Sequence, residues 1–186
     1  VAIFLENTIL TRAIGTSTVL LMLRKKANLV LFGAVLTFVT VAATVITFFV
    51  NPLIAKADHQ YYITPLIYVL IISAVYIVAV LAVSALPQRY SAQLKPMVHL
   101  SAFNFTVLGS LYLSSSIGNL TLLSAIGFGL GSGIGFMLAM FLISINFEYL
   151  NSEHIPRAFR GFPITMLYIG ILSMAFYGLV GHQLPV

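Results

Sequence analysis

Six long apolar stretches run through this chain, and they limit its possible folds more than any other feature. Each is long enough to cross the hydrocarbon layer of a membrane, which takes about 20 residues as a helix. Only 7% of the residues are charged and 60% are hydrophobic, so a water-soluble core could not hide this much apolar surface. The stretches cover residues 2–23, 28–50, 64–86, 97–117, 120–146 and 162–183.

These stretches are predicted to be α-helices. Within hydrocarbon the backbone must satisfy its own hydrogen bonds, and residues 30–50 lack the alternation of polar and apolar residues that a barrel strand shows. The sequence therefore predicts an all-α integral membrane protein with six transmembrane helices. Short connections that contain the charged residues and the helix breakers separate them, at residues 24–26, from 51–52 onward, 87–96, 118–119 and 151–161.

The basic residues predict the orientation, because cytoplasmic loops carry an excess of Lys and Arg. Lys56 alone falls on one side, while Arg12 lies within the first span. All the others fall on the opposite side: Arg24, Lys25, Lys26, Arg89, Lys95, Arg157 and Arg160. We expect a multi-pass protein of the inner (cytoplasmic) membrane, with loops 1, 3 and 5 inside and both termini outside. This topology accounts for the net charge of +5, so no nucleic-acid partner is predicted.

The first and fourth spans are more polar than the rest, and each contains a glycine beside a hydroxyl residue. Ile14-Gly15-Thr16 occurs in the first span and Leu108-Gly109-Ser110 in the fourth. The chain crosses the membrane three times between the start of the first span and the start of the fourth, so the two segments enter the membrane from opposite sides. Such a pattern indicates an inverted repeat with broken helices 1 and 4. The single membrane domain, 1–186, would divide into repeats of about 1–86 and 97–186.

Four stretches carry a resemblance to the RnfA/NqrE family, the membrane subunits of the Rnf and sodium-pumping NADH:quinone oxidoreductase complexes. They are Glu6-Asn7 with Ile14-Gly15 and the basic residues 24–26; Asn104 with residues 107–109; the glycines between Gly127 and Gly135 with Phe136 and Glu148; and residues 155–161, continuing to 173–176. The resemblance implies six helices in two inverted three-helix repeats. It also implies electron transfer across the membrane, coupled to ion movement, with other membrane subunits as partners, among them a homologous paralogue.

The resemblance also implies a cofactor site, and here the chain departs from the family. A cysteine in each of two half-helices holds an iron–sulfur cluster in the family, and the matching positions are Ser17 and Phe105. The chain has no cysteine, so no iron–sulfur cluster is predicted. A flavin or a quinone near these two positions stays open. Asn7, Asn104, Gly15 and Gly109, at matching family positions, complete the expected cofactor-binding set.

Further candidate residues have a structural and a functional interpretation. Glu6 and Arg12 lie in an apolar span, where ionisable side chains are costly, and they predict an ion or polar site. Arg157 and Arg160 follow the positive-inside pattern, and the family resemblance favours partner binding there. Lone histidines such as His99 make weak metal sites, so no metal is predicted. The alternating glycines of residues 127–135 form two Gly-x-x-x-Gly sets that predict close helix packing on two faces.

Two functions are consistent with these sequence features. One is a membrane subunit of an Rnf/Nqr-like electron-transport complex that works without its own cluster, as a non-catalytic or at most electron-relaying subunit. The alternative is a small-solute or ion transporter that kept the inverted-repeat fold and lost the redox centre. No arrangement of catalytic residues supports a stand-alone enzyme.

Overall fold

The computed structural model describes residues 2–3, 6–24, 28–56, 59–116, 121–153 and 155–180, and this part of the chain is helical with turns between the helices. Its α-helices, numbered in chain order, are α1 Thr16–Arg24, α2 Leu29–Ile54, α3 Gln60–Ser84, α4 Gln88–Ala102, α5 Phe105–Ser115, α6 Leu122–Asn146 and α7 Phe162–Val180. A short 3-10 helix at Tyr149–Asn151 follows α6. The predicted connection at residues 118–119 lies outside the described residues, as do Lys25 and Lys26.

Within the described residues, three helices are long and apolar enough to cross a membrane, namely α2, α3 and α6. They contain 26, 25 and 25 residues, which gives each a length of about 38 Å against a hydrocarbon core of about 30 Å. The shorter helices α5 and α7 are also apolar. The prediction of an all-α integral membrane protein is confirmed.

The first predicted span, residues 2–23, is helical only in its second part. Its described residues before Thr16 form turns, and only α1 is helical. Two residues there have left-handed backbone conformations, Ala13 with φ 55° and Gly15 with φ 87°. The α-helix does not admit that conformation, so the helix can begin only after Gly15. The expected break in the first span is therefore present, and it includes the described residues before Thr16.

The fourth predicted span is also broken, at Phe103 and Asn104, between α4 and α5. The predicted loop at 87–96 is wrong, because α4 already begins at Gln88. Pro87 precedes the first helical residue, where a fixed φ and a missing N–H do no harm. Pro96 lies inside α4 and deprives the Ala92 carbonyl of its intrahelical partner, but Ala92 is exposed.

The predicted end of the second span at residue 50 is four residues too early. Helix α2 continues through Asn51 and Pro52 to Ile54. Neighbouring helices help proline persist in a membrane helix, because they provide partners for freed polar groups. The Tyr68 hydroxyl of α3 donates a hydrogen bond of 2.9 Å to Asn51 Oδ1, which ties the end of α2 to its neighbour.

The order of elements is the same in the two halves of the chain. A broken segment is followed by two longer helices, first α1, α2 and α3, and then α4–α5, α6 and α7. This order agrees with two repeats. The division into residues 1–86 and 97–186 stays a prediction.

The glycines of α6 pack against two different neighbours, as their spacing predicts. A Cβ added at Gly133 would lie 2.7 Å from Thr37 Cα of α2, and one at Gly129 would lie 3.0 Å from Val41 Cα. On another face, a Cβ at Gly131 would lie 2.9 Å from Ala2 Cβ. Such distances are shorter than van der Waals contact. Helix α2 and the residues before Thr16, which we call the first segment, therefore approach α6 closely only because these glycines have no side chain.

We predict that Gly133→Ala destabilises the fold by about 1–3 kcal/mol, because the new methyl group would meet the α2 backbone at Thr37. The matched control is Gly127→Ala in the same helix, where an added Cβ meets nothing within 4 Å. That variant should stay within about 1 kcal/mol of the wild type. Unfolding of both variants in detergent, followed by circular dichroism, measures the difference, and equal stability would contradict the packing described above.

Candidate functional site

Asn7 holds the irregular first segment together. Its side chain is fully buried. The amide nitrogen donates to the carbonyls of Ile3 and Gly135, both at 2.9 Å, and the amide oxygen accepts from the N–H groups of Ile9 and Leu10, both at 3.0 Å. One side chain thus bonds to three backbone groups of the irregular segment, which no regular helix pairs, and to one carbonyl of α6. The bond to Gly135 also fixes the segment to α6.

Asn104 occupies the corresponding break in the second half, and it is 3% exposed. Its amide oxygen accepts from the Thr106 N–H at 3.0 Å and so caps the N-terminus of α5. Its amide nitrogen has no hydrogen-bond partner among the residues that the structure describes. Toward the described residues, Asn104 therefore uses only the oxygen of its amide group.

The two broken segments meet at Gly15. A Cβ added there would collide with Thr106 Oγ1 and would lie 3.0 Å from Asn104 Oδ1. Thr106 Oγ1 donates to the Ile14 carbonyl at 3.5 Å, and a Cβ at Gly109 would lie 3.2 Å from Ile14 Cδ1. Both expected glycines therefore lie at the contact between the segments, and Gly15 is required there for its conformation as well as its size.

Ser17 and Phe105 line the same cavity, which has a volume of about 380 Å³. Ser17 lies in the first turn of α1, and Phe105 is the first residue of α5. Both are exposed, and Phe105 is 71% exposed, so the cavity opens at the surface of this chain. The structure thus brings these two positions together, and their role in cofactor binding stays a prediction. We call this space the junction cavity.

An iron–sulfur cluster does not fit the side chains of the junction cavity. Thiolates hold such clusters, with imidazole as an occasional substitute, whereas Ser17 offers a hydroxyl and Phe105 offers no ligand atom. The chain contains no cysteine. Thr106 and His99 are engaged elsewhere, since Thr106 bonds to Ile14 and His99 Nδ1 lies 2.7 Å from the Tyr76 hydroxyl. No group of three or more metal-binding side chains occurs among the described residues.

Glu6 and Arg12 form an ion pair in the irregular first segment. An Arg12 guanidinium nitrogen donates to Glu6 Oε2 at 2.8 Å. Residues six apart point about 120° away from each other on an ideal helix, so the pair depends on the turns before Thr16. The side chains are 49% and 33% exposed for Arg12 and Glu6, respectively. Pairing lowers the cost of isolated charges in a membrane. A role as an ion site stays a prediction.

Arg157 and Arg160 line a polar cavity of about 430 Å³ in the loop before α7. Arg160 donates from one guanidinium nitrogen to the carbonyls of Glu153 at 3.0 Å and Ile155 at 3.2 Å, so it shapes the loop. Arg157 is exposed. Arg157 is therefore better placed than Arg160 to reach a partner, and partner binding by both stays a prediction.

Five residues of the junction cavity were not among the site residues expected from the sequence, namely Ala13, Ile14, Thr16, Leu108 and Tyr112. Leu108 and Tyr112 follow Phe105 by three and seven positions, so they share its face of α5, and helical periodicity could have identified them. Ala13 borders the cavity and has a positive φ of 55°. Nothing in the sequence signals that conformation for an alanine, which rarely adopts it.

We predict that Asn7→Asp destabilises the fold more than Asn104→Asp does. Both variants keep the accepting oxygen and bury a carboxyl group. Only Asn7→Asp loses hydrogen bonds donated within the chain, to the Ile3 and Gly135 carbonyls. The difference should be about 1–3 kcal/mol, because the Ile3 carbonyl loses its donor and the first segment loses its hydrogen bond to Gly135 of α6. Thermal unfolding in detergent tests this, and similar losses for the two variants would contradict these roles.

Comparison with known proteins identifies the family of the chain. The family model described as Rnf-Nqr subunit, membrane protein, matches residues 1–182. One relative is a subunit of the Na(+)-translocating ferredoxin:NAD(+) oxidoreductase complex of Acetobacterium woodii, 31% identical over 98% of this chain and 95% of that protein. Another is a subunit of the ion-translocating oxidoreductase complex of Syntrophotalea carbinolica, 30% identical over 97% and 93% of the two chains. The chain belongs to the Rnf-Nqr family of membrane subunits.

Proposed function

We propose that this chain is a membrane subunit of an Rnf/Nqr-like electron-transport complex, which moves or supports electron transfer across the membrane without an iron–sulfur cluster of its own. The observation that carries the proposal is the contact of the two broken segments at Gly15, with Ser17 and Phe105 on one open cavity. The relatives are named as subunits of ion-translocating oxidoreductase complexes, which supports the same role here.

The junction cavity is the place where we expect a partner subunit or a cofactor. Polar, irregular backbone is tolerated at membrane depth only where protein or a cavity covers it. The exposed ring of Phe105 and the hydroxyl of Ser17 stand at this opening, while Asn7, Asn104, Gly15 and Gly109 form the framework beneath them. A second membrane subunit, with a homologous paralogue as the simplest choice, would cover the opening. A flavin or a quinone held there would place an electron carrier at the junction.

One observation favours the alternative function, a small-solute or ion transporter. The Glu6–Arg12 pair lies in the irregular first segment, and ionisable pairs within membrane segments commonly mark ion pathways. The two functions differ in what is isolated together with the protein. A redox subunit is isolated with other subunits and a coloured cofactor, whereas a transporter is colourless and accumulates its solute in liposomes.

We predict that Phe105→Ala lowers membrane-bound electron transfer severalfold and reduces the amount of co-purified membrane subunits. The full chain, tagged and isolated from its own membranes in mild detergent, is compared with Phe141→Ala. This control is matched, because Phe141 is 63% exposed on α6 and does not line the junction cavity. Equal effects of the two variants, or isolation of a colourless chain with no other subunit, would overturn the proposed function.

The orientation predicted from Lys and Arg also belongs to this proposal, with loops 1, 3 and 5 in the cytoplasm and both termini outside the inner membrane. The natural lack of cysteine permits a direct measurement. We expect Lys56→Cys to react with a membrane-impermeant maleimide on intact cells. Arg89→Cys should react only after permeabilisation. Both positions are exposed, so accessibility within the fold does not distinguish them. The opposite labelling would reverse the orientation.

A further inference from the structure

A compact turn directly before α7 places two arginines on one side of the loop. The Pro156 carbonyl accepts hydrogen bonds from the N–H groups of Phe159 at 2.9 Å and Arg160 at 3.1 Å. Residues three apart in such a helical turn lie on the same side, and Arg157 and Arg160 line one cavity. Gly161, with a φ of 89°, then leads the chain into α7. We call the space beside this turn the loop cavity.

The loop cavity has a volume of about 430 Å³ and mostly polar walls. Its charged groups are Arg157, Arg160 and Glu153. The bonds from Arg160 to the carbonyls of Glu153 and Ile155 hold this guanidinium in place before any ligand arrives. Arg157 is exposed and has no hydrogen-bond or ion-pair partner among the described residues. No ion pair joins Glu153 to either arginine, so the cavity has an excess of positive charge.

These charged groups favour an anion that carries several oxygen atoms. Arginine binds phosphate and carboxylate groups through charge-assisted hydrogen bonds from its planar fork of N–H donors. A phosphate group presents acceptors in more than one direction, so one such group can bond to Arg157 and Arg160 together. Sites for drug-sized ligands measure about 300–1,000 Å³, and the loop cavity lies near the lower end of that range. It therefore suits a small phosphate-containing group.

The loop cavity lies at the level of the lipid head groups. Helix α7 contains 19 residues and is about 28 Å long, close to the hydrocarbon thickness of about 30 Å. Its first residue, Phe162, is therefore near the edge of the hydrocarbon layer. The rings of Phe159 and Phe162 are 52% and 54% exposed on either side of Arg160. Exposed phenyl rings beside basic side chains are typical of segments at the boundary between head groups and acyl chains.

We propose that the loop cavity binds the phosphate group of an anionic phospholipid, with Arg157 and Arg160 as the donors. The acyl chains of the lipid cover the exposed rings of Phe159 and Phe162. Basic pockets beside membrane helices bind anionic head groups in this way. A free phosphate ion offers the same oxygen atoms and leaves both rings uncovered. The carboxylate of Glu153 disfavours a second negative charge, so a head group with one net charge, such as phosphatidylglycerol, fits best.

The natural absence of tryptophan permits a direct measurement of lipid binding. Phe159→Trp introduces a single indole beside the loop cavity and changes none of the residues that line it. The full chain is reconstituted into phosphatidylcholine bilayers, and lipids with brominated acyl chains quench the indole on contact. We expect a relative binding constant that favours brominated phosphatidylglycerol over brominated phosphatidylcholine about fivefold, the size expected for one excess basic charge.

A second reporter measures the lipid that surrounds the rest of the protein. Leu123→Trp is the matched control, because Leu123 is 80% exposed in the first turn of α6. Residues 116–124 contain no charged side chain. At this position we expect the two brominated lipids to quench equally.

Two arginine substitutions, each made in the chain that carries Phe159→Trp, separate the cavity from the general surface charge. Arg157→Gln should remove most of the preference for phosphatidylglycerol, and the fold should persist because Arg157 bonds to none of the described residues. Arg89→Gln is the matched control, since Arg89 is an exposed arginine of α4 that does not line the loop cavity. This variant should keep the full preference.

The outcomes separate the possible occupants. Equal quenching by the two lipids at Phe159→Trp overturns the lipid site and leaves both arginines to a partner subunit. Equal losses for Arg157→Gln and Arg89→Gln also overturn it, because general surface charge would then explain the preference. Inorganic phosphate that abolishes the preference, when chloride of the same ionic strength does not, identifies a site for free phosphate instead. None of these results depends on co-purified subunits or on a coloured cofactor, which decide the proposed function.

Discussion

The structure depends on how the backbone is satisfied where two helices are interrupted inside an apolar bundle. Water is absent from hydrocarbon, so every N–H and carbonyl released by a break needs a partner from the protein. Asn7 supplies three such bonds in the first segment and a fourth to Gly135 of α6, and Asn104 caps the helix that follows the second break. The contact at Gly15, and the cavity beside it, exist because these two side chains stabilise the interruptions.

The close packing around α6 is the second requirement for the site. The Asn7 amide reaches the Gly135 carbonyl only because no side chain at Gly131 or Gly135 holds the first segment away. On the other face, Gly129 and Gly133 admit α2. Helix α6 therefore fixes both the irregular segment and the longest helix of the first half. Phe136 of α6 is fully buried, and it packs against Phe32 of α2 with ring centroids 6.1 Å apart.

Hydropathy and glycine spacing predicted much of this arrangement. The long helices α2, α3 and α6 follow from apolar runs, and a break in the fourth span follows from its polar residues. The structure places that break at Asn104, whereas Gly109 lies inside α5. The ends of the helices were less predictable. Pro52 and Pro96 are helix breakers in water, but they lie inside helices here. The predicted loops at 51–52 and 87–96 were wrong for that reason.

Other features of the site could not be predicted from neighbouring residues. The hydrogen bond between Asn7 and Gly135 joins positions 128 apart in the sequence, so no local sequence pattern predicts it. The left-handed conformation of Ala13 is imposed by the surrounding fold, because alanine has no preference for it. The meeting of Ser17 and Phe105 was expected from the family resemblance and the opposed directions of the two spans. Without that resemblance, nothing in the sequence near Ser17 or Phe105 predicts that the two residues line the same cavity.

The two occupied faces of α6 also determine how this helix can change over evolutionary time. Every second position from 129 to 135 borders a neighbour that tolerates no added bulk, so these sites admit few mutations. Leu130, Ile134 and Phe141 are exposed, whereas Ser132 and Phe136 are buried. Sequence drift in α6 should therefore be concentrated on a single outward stripe, where one apolar residue replaces another at little cost.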